Sequence, residues 1–193
     1  MPFKLGSAGK VAKVGLACWL MSLGSVWAQS RPSNLSALKG EMKVFEAVID
    51  GTISQTFAPP FSLLEKTKGA YLPGFGLAFS LEIELYPTRA PNPFNAEPLS
   101  KAEIAKAQKM ERERLATVKT SVPRLLADHG VSLRNLTAND SVAVVVNLFE
   151  MQVRNDNFPD QVIIETKKSD LERFWDKKIS YEELVAKMTI VEL

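Results

Sequence analysis

Apolar and polar residues alternate most clearly over residues 77–86, where Leu77, Phe79, Leu81, Ile83 and Leu85 interleave with Ala78, Ser80, Glu82, Glu84 and Tyr86. A period of two predicts a strand with one core face and one wetter face, as in antiparallel sheets. Residues 142–151 are β-branched and apolar on both faces, which predicts a central strand. Its second face then needs cover, from the C-terminal helices or from a partner. With 161–166 it forms an antiparallel hairpin, and residues 188–191 supply a last short strand. Residues 61–70 read as an irregular strand.

Helical spacing marks two further segments. Leu35, Leu38, Met42, Phe45, Val48 and Ile49 form one stripe, which Asp50-Gly51 should end with a left-handed glycine cap. A long helix from Ser100 to about Asp128 opens on the capping box Ser100–Glu103, with a kink expected at Pro123 and Gly130 as its stop. Its stripe of Ile104, Gln108, Glu111, Leu115, Val118, Val122 and Leu125 is apolar only in the second half, so that half should dock while Glu103–Arg114 projects. Ser169–Glu172 and Ser180–Glu183 are two more capping boxes, each opening a short helix. Pro87, Pro91, Pro93 and Pro98 mark a loop, as do Asn155-Asp156-Asn157 and Pro159. The expected fold is α+β: a mainly antiparallel sheet of four to five strands, with the long helix and the N-terminal helix packed on one face.

The N-terminus alters the meaning of the charge. Residues 1–28 carry Lys4, Lys10 and Lys13, no acid, an apolar run from Val14, and the ending Val26-Trp27-Ala28. This is the pattern of a secretory signal peptide cleaved after Ala28, leaving 29–193 as one domain. The apolar run of 14–28 is shorter than the roughly 20 residues that span a bilayer. No stable transmembrane span is then expected after cleavage, and the protein is periplasmic or extracellular. The whole chain has 24 Lys+Arg against 22 Asp+Glu, and all three residues lost are basic. The mature domain is therefore slightly acidic, and no basic footprint for nucleic acid is present. The single cysteine, Cys18, falls inside the leader, which excludes disulfides and thiolate metal sites from the domain. As a lipid-attachment site it is poorly placed, only five residues after Lys13.

Candidate chemistry is sparse. His129 is the one histidine and stands where the long helix should end, a position at which the helix dipole favours a cation. Neither a phosphate-cradling loop nor a nucleophile elbow occurs, and no cofactor or metal site is indicated. Glu82 and Glu84 share the outer face of the alternating strand, a pair suited to acid/base work in a carboxylate-dependent hydrolase or lyase. In Tyr71-Leu72-Pro73-Gly74-Phe75-Gly76, Pro-Gly fits the middle of a type II turn and holds three large apolar groups in a tight loop. Such a loop can face a partner or tuck into the core.

The run Tyr71–Gly76, followed by Leu77-Ala78-Phe79-Ser80-Leu81-Glu82, resembles a segment of exported bacterial proteins of unknown function. The likeness extends to Asp170-Leu171-Glu172 and to Ile179-Ser180-Tyr181-Glu182-Glu183-Leu184. It implies export and a shared domain, and transfers no catalytic residue. The resulting expectation is a non-catalytic binding or scaffold module of the bacterial cell envelope, with an envelope protein as partner and Tyr71, Leu72, Pro73, Gly74, Phe75 and Gly76 as its binding loop. An assembly factor using the projecting Glu103–Arg114 segment is a further possibility.

Overall fold

A computed structural model describes residues 34–87, 99–149 and 158–193. The leader, the Pro91–Pro98 loop, the Asn155–Asn157 turn and the strand end at Met151 lie outside them. The order is α1 (Leu35–Thr56), β1 (Ser62–Leu72), β2 (Gly76–Glu84), α2 (Lys101–His129), a 3-10 turn (Gly130–Ser132), β3 (Ser141–Leu148), β4 (Gln161–Lys167), α3 (Lys168–Trp175), α4 (Tyr181–Val185) and β5 (Thr189–Glu192).

The five strands form one sheet in sequence order, and the fold is α+β. β1–β2, β3–β4 and β4–β5 are antiparallel, while β2 and β3, joined through α2, run parallel. Register fixes which residues share a face. Leu77, Phe79 and Leu81 stand beside Val142, Val144 and Val146, and the last two of these beside Ile164 and Val162. All of these side chains are buried in one core. Fully burying one such aliphatic group stabilises the fold by about 1.5–3 kcal/mol.

Every helix contributes to that same core. α1 inserts Leu38, Phe45, Ile49 and Ile53, with the Phe45 ring 4.9 Å from that of Phe79. α2 docks Leu115, Val118, Val122, Leu125 and Leu126, so its second half docks as expected, but Ala107 and Arg114 are buried too, so the segment 103–114 does not simply project. α3 and α4 add Leu171 and Leu184. The C-terminal helices therefore do not cover the second face of β3, contrary to one of the two expectations for it.

Three local expectations fail for physical reasons. α1 runs through Asp50-Gly51 to Thr56, because Ile53, fully buried, extends the apolar stripe by another turn. Gly130 has φ −64°, so it provides no left-handed stop. It is small because a Cβ there would come within 2.6 Å of Leu171 Cδ1. Ser169 caps nothing: β4 passes directly into α3, with Lys167 at the N-cap and no side-chain bond. The boxes at Ser100 and Ser180 both form, each with reciprocal bonds to the glutamate three residues on.

Candidate functional site

The segment 71–76 is a turn clamped against the start of β3. Phe75 N donates to Leu72 O at 3.0 Å, and Gly74 has φ +82°, as the third position of a type II turn requires. Ser141 N donates to Phe75 O at 2.6 Å. Gly76 (φ +127°) lies so close to β3 that a Cβ would be 2.1 Å from Ser141 O. Asp140 and Ser141 are buried behind it. Asp140 Oδ2 accepts from Thr137 N and Oγ1, and Ser141 Oγ accepts from Lys167 Nζ. The turn is rigid on both sides.

Strand parity divides its side chains. Gly69 faces the core, since a Cβ there would meet the Phe79 ring at 2.8 Å. Tyr71, two residues on, packs against the core. Leu72 stands on the opposite face and is 45% exposed, and Pro73 and Gly74 are exposed beside it. Phe75 is half-buried and Gly76 buried. Of the six residues, Leu72, Pro73 and Gly74 form the outward rim.

This rim borders the outer face of the sheet. Ala78 and Ala143 are register neighbours in one row across it, and Ser80, Val145, Ile163 and Val191 in the next. Towards the far end the row is polar. Asn147 Nδ2 donates to Ser80 Oγ and to Leu81 O, both at 3.0 Å, and Gln161 Nε2 donates to Asn147 Oδ1 at 2.7 Å. Glu82 and Glu84 occupy this face, as the alternation predicts, about 7 Å apart along the strand. Partial burial pushes the Glu84 carboxyl above its usual value.

Two grooves meet at Trp175, which is 60% exposed. One, of about 490 Å³, is lined by His129, Arg134, Lys168 and Glu172 among others, and the second, of about 630 Å³, by Phe174, Ile179 and Lys178 among others. Lys168 is 2% exposed, and its Nζ donates to Val131 O at 3.0 Å and lies 3.7 Å from Glu172. Burial lowers its pKa from 10.5. Its ammonium serves the carbonyls of Gly130 and Val131 just past α2, while His129 stands exposed in the last turn of α2, as expected. The alternation Val162, Ile164, Thr166 already puts position 168 on the core side.

Arg114, within the charged run 111–114, also has a structural role. It is buried and donates to the carbonyls of Ala58, Pro60 and Leu85, with its guanidinium 5.6 Å from the Tyr86 ring centre. It ties the α1–β1 connection to the exit of β2. Among the described residues, no group of three or more His, Cys, Asp or Glu could hold a metal ion. Among them, too, no helix is long and apolar enough to cross a membrane. No family model matches this chain, and no curated protein or solved structure matches it.

Proposed function

We propose that the protein is a non-catalytic binding module of the bacterial cell envelope, exported by its leader and cleaved after Ala28. Its contact surface is the outer sheet face with the Leu72-Pro73-Gly74 rim. One observation carries this reading: all four helices of the described residues are committed to the core side. The opposite face keeps an apolar centre of Ala78, Val145 and Ile163 beside a hydrogen-bonded polar strip, a mixture suited to protein recognition.

The test places a photo-crosslinking residue at Ser80 on the outer face, or at Lys106 on the exposed side of α2, in the full chain expressed in its envelope. The reading expects one defined adduct from Ser80, lost on Leu72→Ser, and none from Lys106. Equal adducts from both positions, or none from Ser80, would refute it. Mass spectrometry of the exported protein checks cleavage after Ala28.

A second reading, a carboxylate-dependent hydrolase or lyase, is favoured by the raised pKa of Glu84 beside Glu82. It expects Glu84→Gln to abolish turnover of a substrate found by screening, with folding intact.

A further inference from the structure

The two edges of the sheet are finished differently. Along β1, Glu46 Oε1 accepts from Gly69 N at 2.9 Å, and Asp50 Oδ1 accepts from Thr67 N at 2.8 Å and from Thr67 Oγ1 at 2.7 Å. Helix α1 thus occupies two of the donors that an added strand would use, a common protection of an edge.

Along β5 the described residues supply nothing equivalent, and β5 pairs with β4 alone. Leu193 and Gln161 exchange both backbone hydrogen bonds, Leu193 N to Gln161 O at 3.0 Å and Gln161 N to Leu193 O at 3.2 Å. That pair fixes the phase of the antiparallel ladder. Thr189 and Val191 turn their backbone groups towards β4, so Ile190 and Glu192 turn theirs away from the sheet. The side chains along this edge are apolar and exposed: Ile190 and Val191 at 37% each, Leu193 at 65%. The one charged side chain of the strand, Glu192, is already paired with Lys119 of α2.

We propose that β5 pairs antiparallel with β5 of a second copy of this chain, about a two-fold axis passing between the two Val191 residues. The pattern is self-complementary. Centring on Val191 sets Ile190 against Glu192 of the second copy, and Glu192 against its Ile190. The outward N–H and C=O groups then form four hydrogen bonds. The two Val191 residues form the close, non-hydrogen-bonded pair, with Cα atoms about 4.5 Å apart. Their side chains join the row Val145–Ile163–Val191 to the same row of the second copy, and Leu193 is covered by the second copy's Thr189. A foreign strand would match the hydrogen bonds, but the apolar row meeting its own continuation is a property of two identical edges. The pairing uses the edge and leaves the outer face free, so it stands or falls independently of the binding reading.

The test uses the full chain with Cys18→Ser and one new cysteine. Under mild oxidation, Val191→Cys forms a disulfide-linked dimer, whereas Ile190→Cys, displaced diagonally from its own copy, does not. In sedimentation, Val191→Lys brings two ammonium groups face to face and raises the dimer dissociation constant at least about tenfold, with an unchanged circular dichroism spectrum. Overturning results are a wild-type chain monomeric at all concentrations, crosslinking as strong at 190 as at 191, or a Val191→Lys chain that stays dimeric. Capture of a different protein by Val191→Cys without self-linkage would also overturn it, since the edge would then serve a foreign strand.

Discussion

Gly51→Ala distinguishes the observed α1 from the shorter helix that Asp50-Gly51 suggests. If the helix stopped there on a left-handed glycine, alanine would cost about 1–2 kcal/mol. In the structure Gly51 lies inside α1, two residues before buried Ile53, and an added Cβ meets nothing within 4 Å. Glycine inside a helix is about 1 kcal/mol worse than alanine, so the substitution should stabilise by roughly 0.5–1 kcal/mol. That corresponds to a rise in Tm of about 1–4 °C for a domain of this size. Urea unfolding at constant m-value, supported by a thermal melt, measures it. Gly76→Ala in the same assay should move oppositely and further. It forces alanine to φ +127° and its Cβ to 2.1 Å from Ser141 O, for about 3 kcal/mol or more. A loss of 1 kcal/mol or more on Gly51→Ala would refute the helix assignment beyond residue 50.

Arg114→Met removes the donor from three carbonyls at the junction of the α1–β1 connection and β2, and should cost roughly 3–5 kcal/mol in denaturant unfolding. Among the described residues Thr166 Oγ1 is buried without a hydrogen-bond partner, so Thr166→Val should raise stability by about 1 kcal/mol in the same measurement. Ser180→Ala should cost about 1 kcal/mol through its lost cap, whereas Ser169→Ala should lose no cap energy and stay within about 0.5 kcal/mol of the parent. Because burial raises the Glu84 pKa, protonation favours the native state. The resulting stabilisation is complete below 4.5 and is lost as pH rises through the folded value. Glu84→Gln should therefore be more stable than the parent at pH 7, with the difference closing towards pH 4.

How far the sequence carries the fold depends on whether the controlling interaction is local. The 77–85 alternation, the boxes at Ser100 and Ser180, and the Pro73-Gly74 turn are set within a few residues, and each is legible. Asp50-Gly51 and Ser169 carry equally clear local signals, yet distant packing overrides them: Ile53 in the core and the direct β4–α3 junction. The side of the sheet taken by α3 and α4 depends on Leu171 and Leu184 reaching a core built by other elements, which no local pattern encodes. The Pro73-Gly74 turn forms where its local pattern places it. Its division into an inward Tyr71 and an outward Leu72 required the register with β2. Lys168 continues the buried parity of β4, whereas the burial of Arg114 depends on carbonyls of the α1–β1 connection and β2 that no local pattern encodes.

The parallel seam between β2 and β3 bears on how the chain finds its fold. Within each hairpin the partners are near in sequence, Leu72 with Gly76 and Asn147 with Gln161. Across the seam Gly76 meets Ser141, and the intervening chain includes all of α2. Loop-closure entropy therefore places the two hairpins early and the seam late. On that ordering the seam closes between the two hairpins, and Gly76 is a position where a Cβ would meet Ser141 O. Tolerance to mutation along the seam is then a matter of folding rate as well as of native stability, with Gly76 its narrowest point.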